Sequence, residues 1–170
     1  MSPDTDQPAA AAAPKGAAPK HGPAKSPRRR AREFALQGLY QWLLSQAEGA
    51  EIEAQLSEHD GFDRIDRRHF DALLYGCIRE AGELDALLAR HVDRRISLLS
   101  PVEHAVLLIG AYELKHCPDV PYRAAINEGI ELTKSFGGTD GHKYVNGVLD
   151  KLAPQLRPAE VAAARAVRRK

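Results

Sequence analysis

Four guanidiniums stand within five residues near the start of the chain, at Arg28, Arg29, Arg30 and Arg32. A guanidinium keeps its charge and offers parallel N–H donors that match a phosphate, so this cluster points to phosphate recognition. Its placement sharpens the point. Ser26-Pro27 reads as a helix cap followed by proline at the first helical position, which sets the arginines on the first turn. Positive side chains there oppose the helix dipole at a cost of roughly a few tenths of a kcal/mol each. A use other than stability is implied, and nucleic acid is the fitting partner. A second candidate group is His142 and Lys143, which follow the turn Gly137-Gly138-Thr139-Asp140-Gly141 at the start of another helix. Backbone N–H groups at such a start welcome an anion. The turn is not a nucleoside-triphosphate loop, because no strand precedes it and the Gly-Lys-Ser/Thr ending is missing.

The other reactive residue types lead to no chemistry. Cys77 and Cys117 form no CxxC pair and each falls in or just after an apolar helical stripe, so plain thiols are expected. His69 and His91 have no partner at metal-ligand spacing and read as surface or boundary residues. His116 and Cys117 are sequence neighbours, which on a helix point in different directions. There is no nucleophile elbow, no HExxH and no Rossmann fingerprint. The sequence therefore predicts no catalytic residue, no metal site, no cofactor and no enzyme.

The elements that must position these residues are helices. Between Pro121 and Leu152, the residues Tyr122, Ala125, Ile126, Gly129, Ile130, Thr133 and Phe136 recur at helical spacing. Gly137 and Gly138 are expected to end that helix with a positive φ, and Thr139 or Asp140 to cap the next, whose inner face is Val145, Val148, Leu149 and Leu152. Asn127 and Asn146 interrupt the two stripes and are expected to be buried and hydrogen-bonded, holding the pair in register. Ser100-Pro101 with Glu103 opens a helix that is apolar over a wide face, from Val102 to Tyr112, and so central to the packing. Earlier stripes run through Leu36, Leu39, Tyr40 and Leu43, through Phe70, Leu73, Leu74, Cys77 and Ile78, and through Leu84, Leu87 and Leu88. Gly61 and Gly82 punctuate them. No period-two alternation occurs, so the fold class is all-α with about seven helices. A break near Ser100 would divide two packed helical bundles.

At 170 residues with 44% apolar composition the chain suits one domain or two halves sharing a core. No apolar run approaches the roughly 18 residues of a membrane span, and no secretion signal is evident, so a cytoplasmic location is expected. The net charge of +1 conceals an asymmetry. Residues 1–32 carry seven Lys/Arg against two carboxylates, and residues 157–170 carry five against one. The body between them is left with twelve Lys/Arg against twenty carboxylates. Basic ends on an acidic body suit a polyanion at the ends and a different partner elsewhere. Residues 1–27 hold six of the eleven prolines and eight alanines, and read as a disordered tail. The body spans 28–156, and 157–170 read as a basic tail, either a frayed helix or disordered.

The segments RRRAREFALQGLYQW (28–42), VEHAVLLIGAYEL (102–114), VPYRAAINEGIELTKSFG (120–137) and HKYVNGVLDKLAP (142–154) resemble the bacterial transcription antitermination family NusB, over residues 28–158. The resemblance implies two packed three-helix bundles with an additional helix. It implies pairing with the small-subunit ribosomal protein NusE and binding of boxA RNA in nascent ribosomal RNA. The antitermination complex with RNA polymerase and the other Nus factors would then read through terminators. Carried onto this chain, the RNA-binding positions are Arg28, Arg29, Arg30, Arg32, Gln37, Tyr40, Lys143 and Tyr144, where the Tyr144 ring can stack on an unpaired base. The NusE-facing positions are Glu103, His104 and Asp140. Arg29 and Tyr144 are expected to share one edge. Whether the unpaired chain forms a homodimer is left open, and a helical protein-interaction module with incidental arginines is the competing reading.

Overall fold

The computed structural model describes residues 25–170, and all of its regular structure is helical. The expectation of a disordered tail falls mostly on residues 1–24, outside the described residues. Eight α-helices follow in order: α1 (Pro27–Ser45), α2 (Gly49–Leu56), α3 (Arg67–Arg79), α4 (Ala81–Ala89), α5 (Pro101–His116), α6 (Tyr122–Phe136), α7 (Gly141–Leu156) and α8 (Pro158–Arg168). Short 3-10 turns at Phe62–Arg64 and Ile96–Leu98 link α2 to α3 and α4 to α5. The basic C-terminal tail is thus largely an eighth helix, anchored by the buried Val161.

Local chemistry accounts for most boundaries. Ser26 Oγ accepts from the Arg29 N–H at 3.1 Å and Ser100 Oγ from the Glu103 N–H at 3.2 Å, with Pro27 and Pro101 at the first helical positions. Gly61 turns the chain after α2 with φ 91°, a conformation a side chain resists. The break between α3 and α4 falls at Glu80, so Gly82 lies inside α4 rather than before it. Two expectations about the α6–α7 turn are corrected. Gly137 is extended (φ −97°, ψ −174°), and neither Gly137 nor Gly138 has a positive φ. Glycine is needed at Gly137 because an added Cβ would lie 2.8 Å from the Thr133 carbonyl oxygen. Asp140 occupies the cap position of α7 without a side-chain cap bond.

One helix organises the molecule. Every residue of α5 from Ala105 to Leu114 is buried. It packs against α1, α3, α4, α6 and α7, and those five also touch one another in the cycle α1–α6–α7–α4–α3–α1. The result is a closed ring of helices around a central one, with α2 laid on α1 and α3, and α8 laid on α7. The two bundles, α1–α3 before the break and α5–α7 after it, are fused through this shared axis. In the first, Phe34, Phe62 and Phe70 meet edge to face at centroid distances of 5.3 and 5.2 Å. In the second, Gly110 lets α7 approach closely, since a Cβ there would stand 2.8 Å from Leu149 Cδ1. Among the described residues, no helix is long and apolar enough to cross a membrane.

The two asparagines depart from expectation. Asn127 is exposed and Asn146 half-buried. Apolar contacts hold α6 to α7, among them Gly129 with Leu149 and Val145, and leave both amides facing outward.

Candidate nucleic-acid interface

The arginine motif divides by depth. Arg28, at the exposed start of α1, donates from Nη2 to Asp119 Oδ2 at 2.7 Å and from Nε to Asp66 Oδ2 at 3.5 Å. Arg29 makes a two-pronged contact with Glu128 of α6, Nε to Oε2 at 3.2 Å and Nη2 to Oε1 at 3.0 Å, and its side chain stays 42% exposed. Arg30 donates only to the Lys25 carbonyl, at 3.4 Å, and has no carboxylate partner among the described residues. Arg32 turns inward. Its Nε lies 2.6 Å from Glu113 Oε1 and its Nη2 3.1 Å from Oε2, and the pair is almost fully buried. His69 Nε2 stands 3.3 Å from the same Oε1, so His69 is a buried partner of the ion pair rather than a surface or boundary residue.

Glu113 is the residue that sequence reasoning missed. Burial pushes its carboxyl up, but hydrogen bonds from His69 and Arg32, with the Arg32 charge, outweigh that and hold it below the usual carboxylate range. The signal was a lone carboxylate, between Tyr112 and Leu114, in the otherwise uncharged run from Ala105 to Leu114. Arg32 is thereby committed to the core. Arg28, Arg29 and Arg30 remain as the side chains of the motif that reach the surface.

Gln37 and Tyr40, further along α1, are exposed and line a groove with Leu36, Val102 and Phe136. This end of α1 meets the start of α5 and the end of α6. The start of α7 lies beside it, because a Cβ on Gly141 would sit 3.0 Å from Glu103 Oε1. Glu103, Asp140, Lys143 and Tyr144 therefore gather around the beginnings of α5 and α7. Lys143 Nζ lies 3.4 Å from Asp140 Oδ1, both highly exposed. The Tyr144 hydroxyl donates to Asp93 Oδ1 at 3.1 Å, and the Arg94 guanidinium sits 4.7 Å from the centre of its ring. Burial and the Asp93 contact raise the Tyr144 hydroxyl above its ordinary pKa. His104 Nε2 is 2.7 Å from Asp85 Oδ1, which ties α5 to α4 rather than opening to solvent.

The common edge expected for Arg29 and Tyr144 is not a direct contact. Arg29 lies in the seam between α1 and α6, and Tyr144 in the seam between α7 and the segment His91 to Arg94 that follows α4. The outer face of the α6–α7 pair separates them. Along α1, Arg29 and Tyr40 are also about 16 Å apart at the rise of an α-helix.

Burial raises the Cys77 thiol and pushes Cys117 up to about 11, and both are free. Such thiols are inert. No group of three or more potential metal ligands occurs among the described residues.

The sequence model of the NusB family matches residues 29–154. The chain belongs to the NusB family. It is 55% identical to a transcription antitermination protein NusB of Cupriavidus pinatubonensis over 163 residues, covering 96% of this chain and 98% of that one. It is 61% identical to the NusB of Ralstonia pickettii over 143 residues, covering 84% and 92%. In structure it superimposes on Thermotoga maritima NusB with a TM-score of 0.68 at 28% identity, over 82% of this chain and 99% of that one. The fold also matches a crystal structure of antitermination factors NusB and NusE in complex with dsRNA, with a TM-score of 0.67 at 23% identity, over 76% and 97% of the two chains. Members of the NusB family are non-enzymatic regulatory proteins.

Proposed function

We propose that this chain is a transcription antitermination factor that pairs with ribosomal protein NusE and binds boxA RNA of nascent ribosomal transcripts. The pair would act within the RNA polymerase complex alongside the other Nus factors. The single observation carrying this reading is its 55–61% identity to antitermination NusB proteins over most of its length. The geometry supports a division of labour. Arg28, Arg29 and Arg30 supply phosphate affinity, while Gln37, Tyr40, Lys143 and Tyr144 meet the bases. Arg32 serves RNA only indirectly, by fixing the start of α1. Glu103 and Asp140 face the cationic NusE, in keeping with the excess of carboxylates in the body, and His104, tied to Asp85, contributes from behind them by fixing the start of α5.

A second reading has a specific observation in its favour. Arg28 and Arg29 already hold carboxylates of their own chain, as a purely structural cluster would. Filter binding of boxA RNA against a scrambled RNA, with and without NusE, separates the two. The antitermination reading expects tighter binding of boxA and a further gain with NusE. Replacing Arg29 and Arg30 by alanine should flatten the salt dependence by about 0.7 per lost phosphate contact on a log–log plot. Equal binding of both RNAs with an unchanged slope leaves the interaction-module reading.

A further inference from the structure

The outer face of the α6–α7 pair carries a groove that none of the assignments above uses. It has a volume of about 580 Å³ and is closed on its third side by α8. Four cations line it: Arg123 of α6, Lys151 of α7, and Arg165 and Arg168 of α8. None of the four forms an ion pair with a described carboxylate, in contrast to Arg28, Arg29 and Arg32. The only carboxylate in the lining is Asp150. Asn127 and Asn146 also line it, and neither amide has a protein partner among the described residues.

We propose that this groove holds a second segment of the bound RNA strand, with the cations on its phosphates and the two carboxamides on base edges. The proposal rests on the RNA-binding reading above and extends it to a new surface. Position favours RNA over an acidic peptide. Lys151 and Gly147 line this groove and also the neighbouring one that contains Lys143 and Tyr144. At the other side, Asn127 adjoins Glu128, the residue that holds Arg29. Of the two ways round from Arg29 to Tyr144, one runs along α1 past Gln37 and Tyr40, and the other crosses the α6–α7 face that carries this groove. Its chemistry fits the crossing. A carboxamide offers a donor and an acceptor together, the combination presented by unpaired base edges. Cations with no carboxylate partner can take phosphates without first giving up an ion pair.

The test uses the full chain and a boxA-containing RNA titrated across a salt series. Wild type is compared with Arg165→Gln/Arg168→Gln, with Asn146→Asp, and with Arg29→Ala/Tyr144→Ala. All the groove substitutions lie at exposed or half-exposed side chains, and a circular dichroism melt checks that the fold is retained. The expected result is a salt slope lower by about 1.4 in the double arginine variant, two contacts at 0.7 each for a single strand. Asn146→Asp, which places a carboxylate beside the strand, is expected to weaken binding several-fold. RNA carrying 4-thiouridine should cross-link to peptides from 146–151 or 161–168. Unchanged slope and affinity in the groove variants, with loss only in Arg29→Ala/Tyr144→Ala, overturns the groove and leaves the RNA reading standing. Cross-links confined to 28–40 and 143–144 do the same. Failure of wild type to bind RNA overturns both. Binding of a poly-glutamate peptide that depends on Arg165 and Arg168, with RNA binding indifferent to them, overturns the proposal in favour of an acidic protein partner.

Discussion

At the scale of single residues, the arginine motif shows how one sequence feature splits into two roles. Arg28, Arg29 and Arg30 stay at the surface, while Arg32, one turn deeper along α1 than Arg28, meets Glu113 in the core. Removing one partner of a buried pair strands the other charge, so Arg32→Ala is expected to cost about 3–5 kcal/mol. Urea unfolding measures it. Glu113 also sets an acid limb. Its carboxyl is held below the ordinary value of 4.5, so the unfolded chain takes up a proton before the folded one does. The stabilisation is complete above that ordinary value and is lost as pH falls through the lower folded value. Asp66, held down by the His69 N–H and by Arg28, adds to the same limb. Unfolding midpoints measured from about pH 7 down to about pH 3 should fall in the wild type and fall less in Glu113→Gln.

At the scale of elements, α8 is more than a basic tail because of the residue that precedes it. Arg157 donates to the carbonyls of Glu113, Leu114, Cys117 and Val120 at 2.7–3.1 Å, and to Glu160 Oε2 at 2.6 Å. These carbonyls belong to the C-terminal end of α5 and the turn after it; those of Glu113 and Cys117 also accept from the Cys117 and Val120 N–H groups, so Arg157 adds a second bond there and supplies Leu114 and Val120 with theirs. Glu160 in turn accepts from the Tyr122 N–H at 2.8 Å, at the start of α6. A guanidinium fork thus joins the end of the central helix to α8, and a carboxylate joins α8 to α6. Arg157→Ala is expected to destabilise the fold by about 2–3 kcal/mol. Arg157→Lys should recover only part of it, because an ammonium cannot span the same set of carbonyls. Thermal denaturation of the two variants, compared side by side, tests this. Equal loss in both would mean that only the cap geometry matters, and no loss in either would remove Arg157 from the account.

At the scale of the whole molecule, the ring of helices around α5 sets the phosphate-binding arginines apart from the proposed NusE-facing residues. The arginine end of α1 and the beginnings of α5 and α7 lie at opposite ends of α1, and the α6–α7 face runs between them. Mutations at the arginine end should therefore act on RNA alone, while at the other end Glu103 and Asp140 neighbour Lys143 and Tyr144 and a test must read both partners. Glu103→Lys is expected to weaken co-elution with NusE while leaving the RNA affinity of the isolated chain unchanged. Co-elution at wild-type strength would remove Glu103 from the interface, and a matching loss of RNA affinity would mean that the two surfaces are not separate.

What the chain's own pattern determined was local. Ser26-Pro27 and Ser100-Pro101 began helices, Gly61 ended one segment, and the broad apolar face after Val102 marked the central helix. These features depend on neighbours three or four residues away, so spacing alone reveals them. Tertiary structure decided the destinations of polar side chains. Arg32 met Glu113 and Arg157 met the end of α5 because helices far apart in sequence lie side by side. Asn127 and Asn146 faced a groove because α8, rather than the α6–α7 seam, came to lie over them. A side chain's partner across a bundle depends on how each helix is rotated about its axis, and that rotation is set by packing all the helices at once.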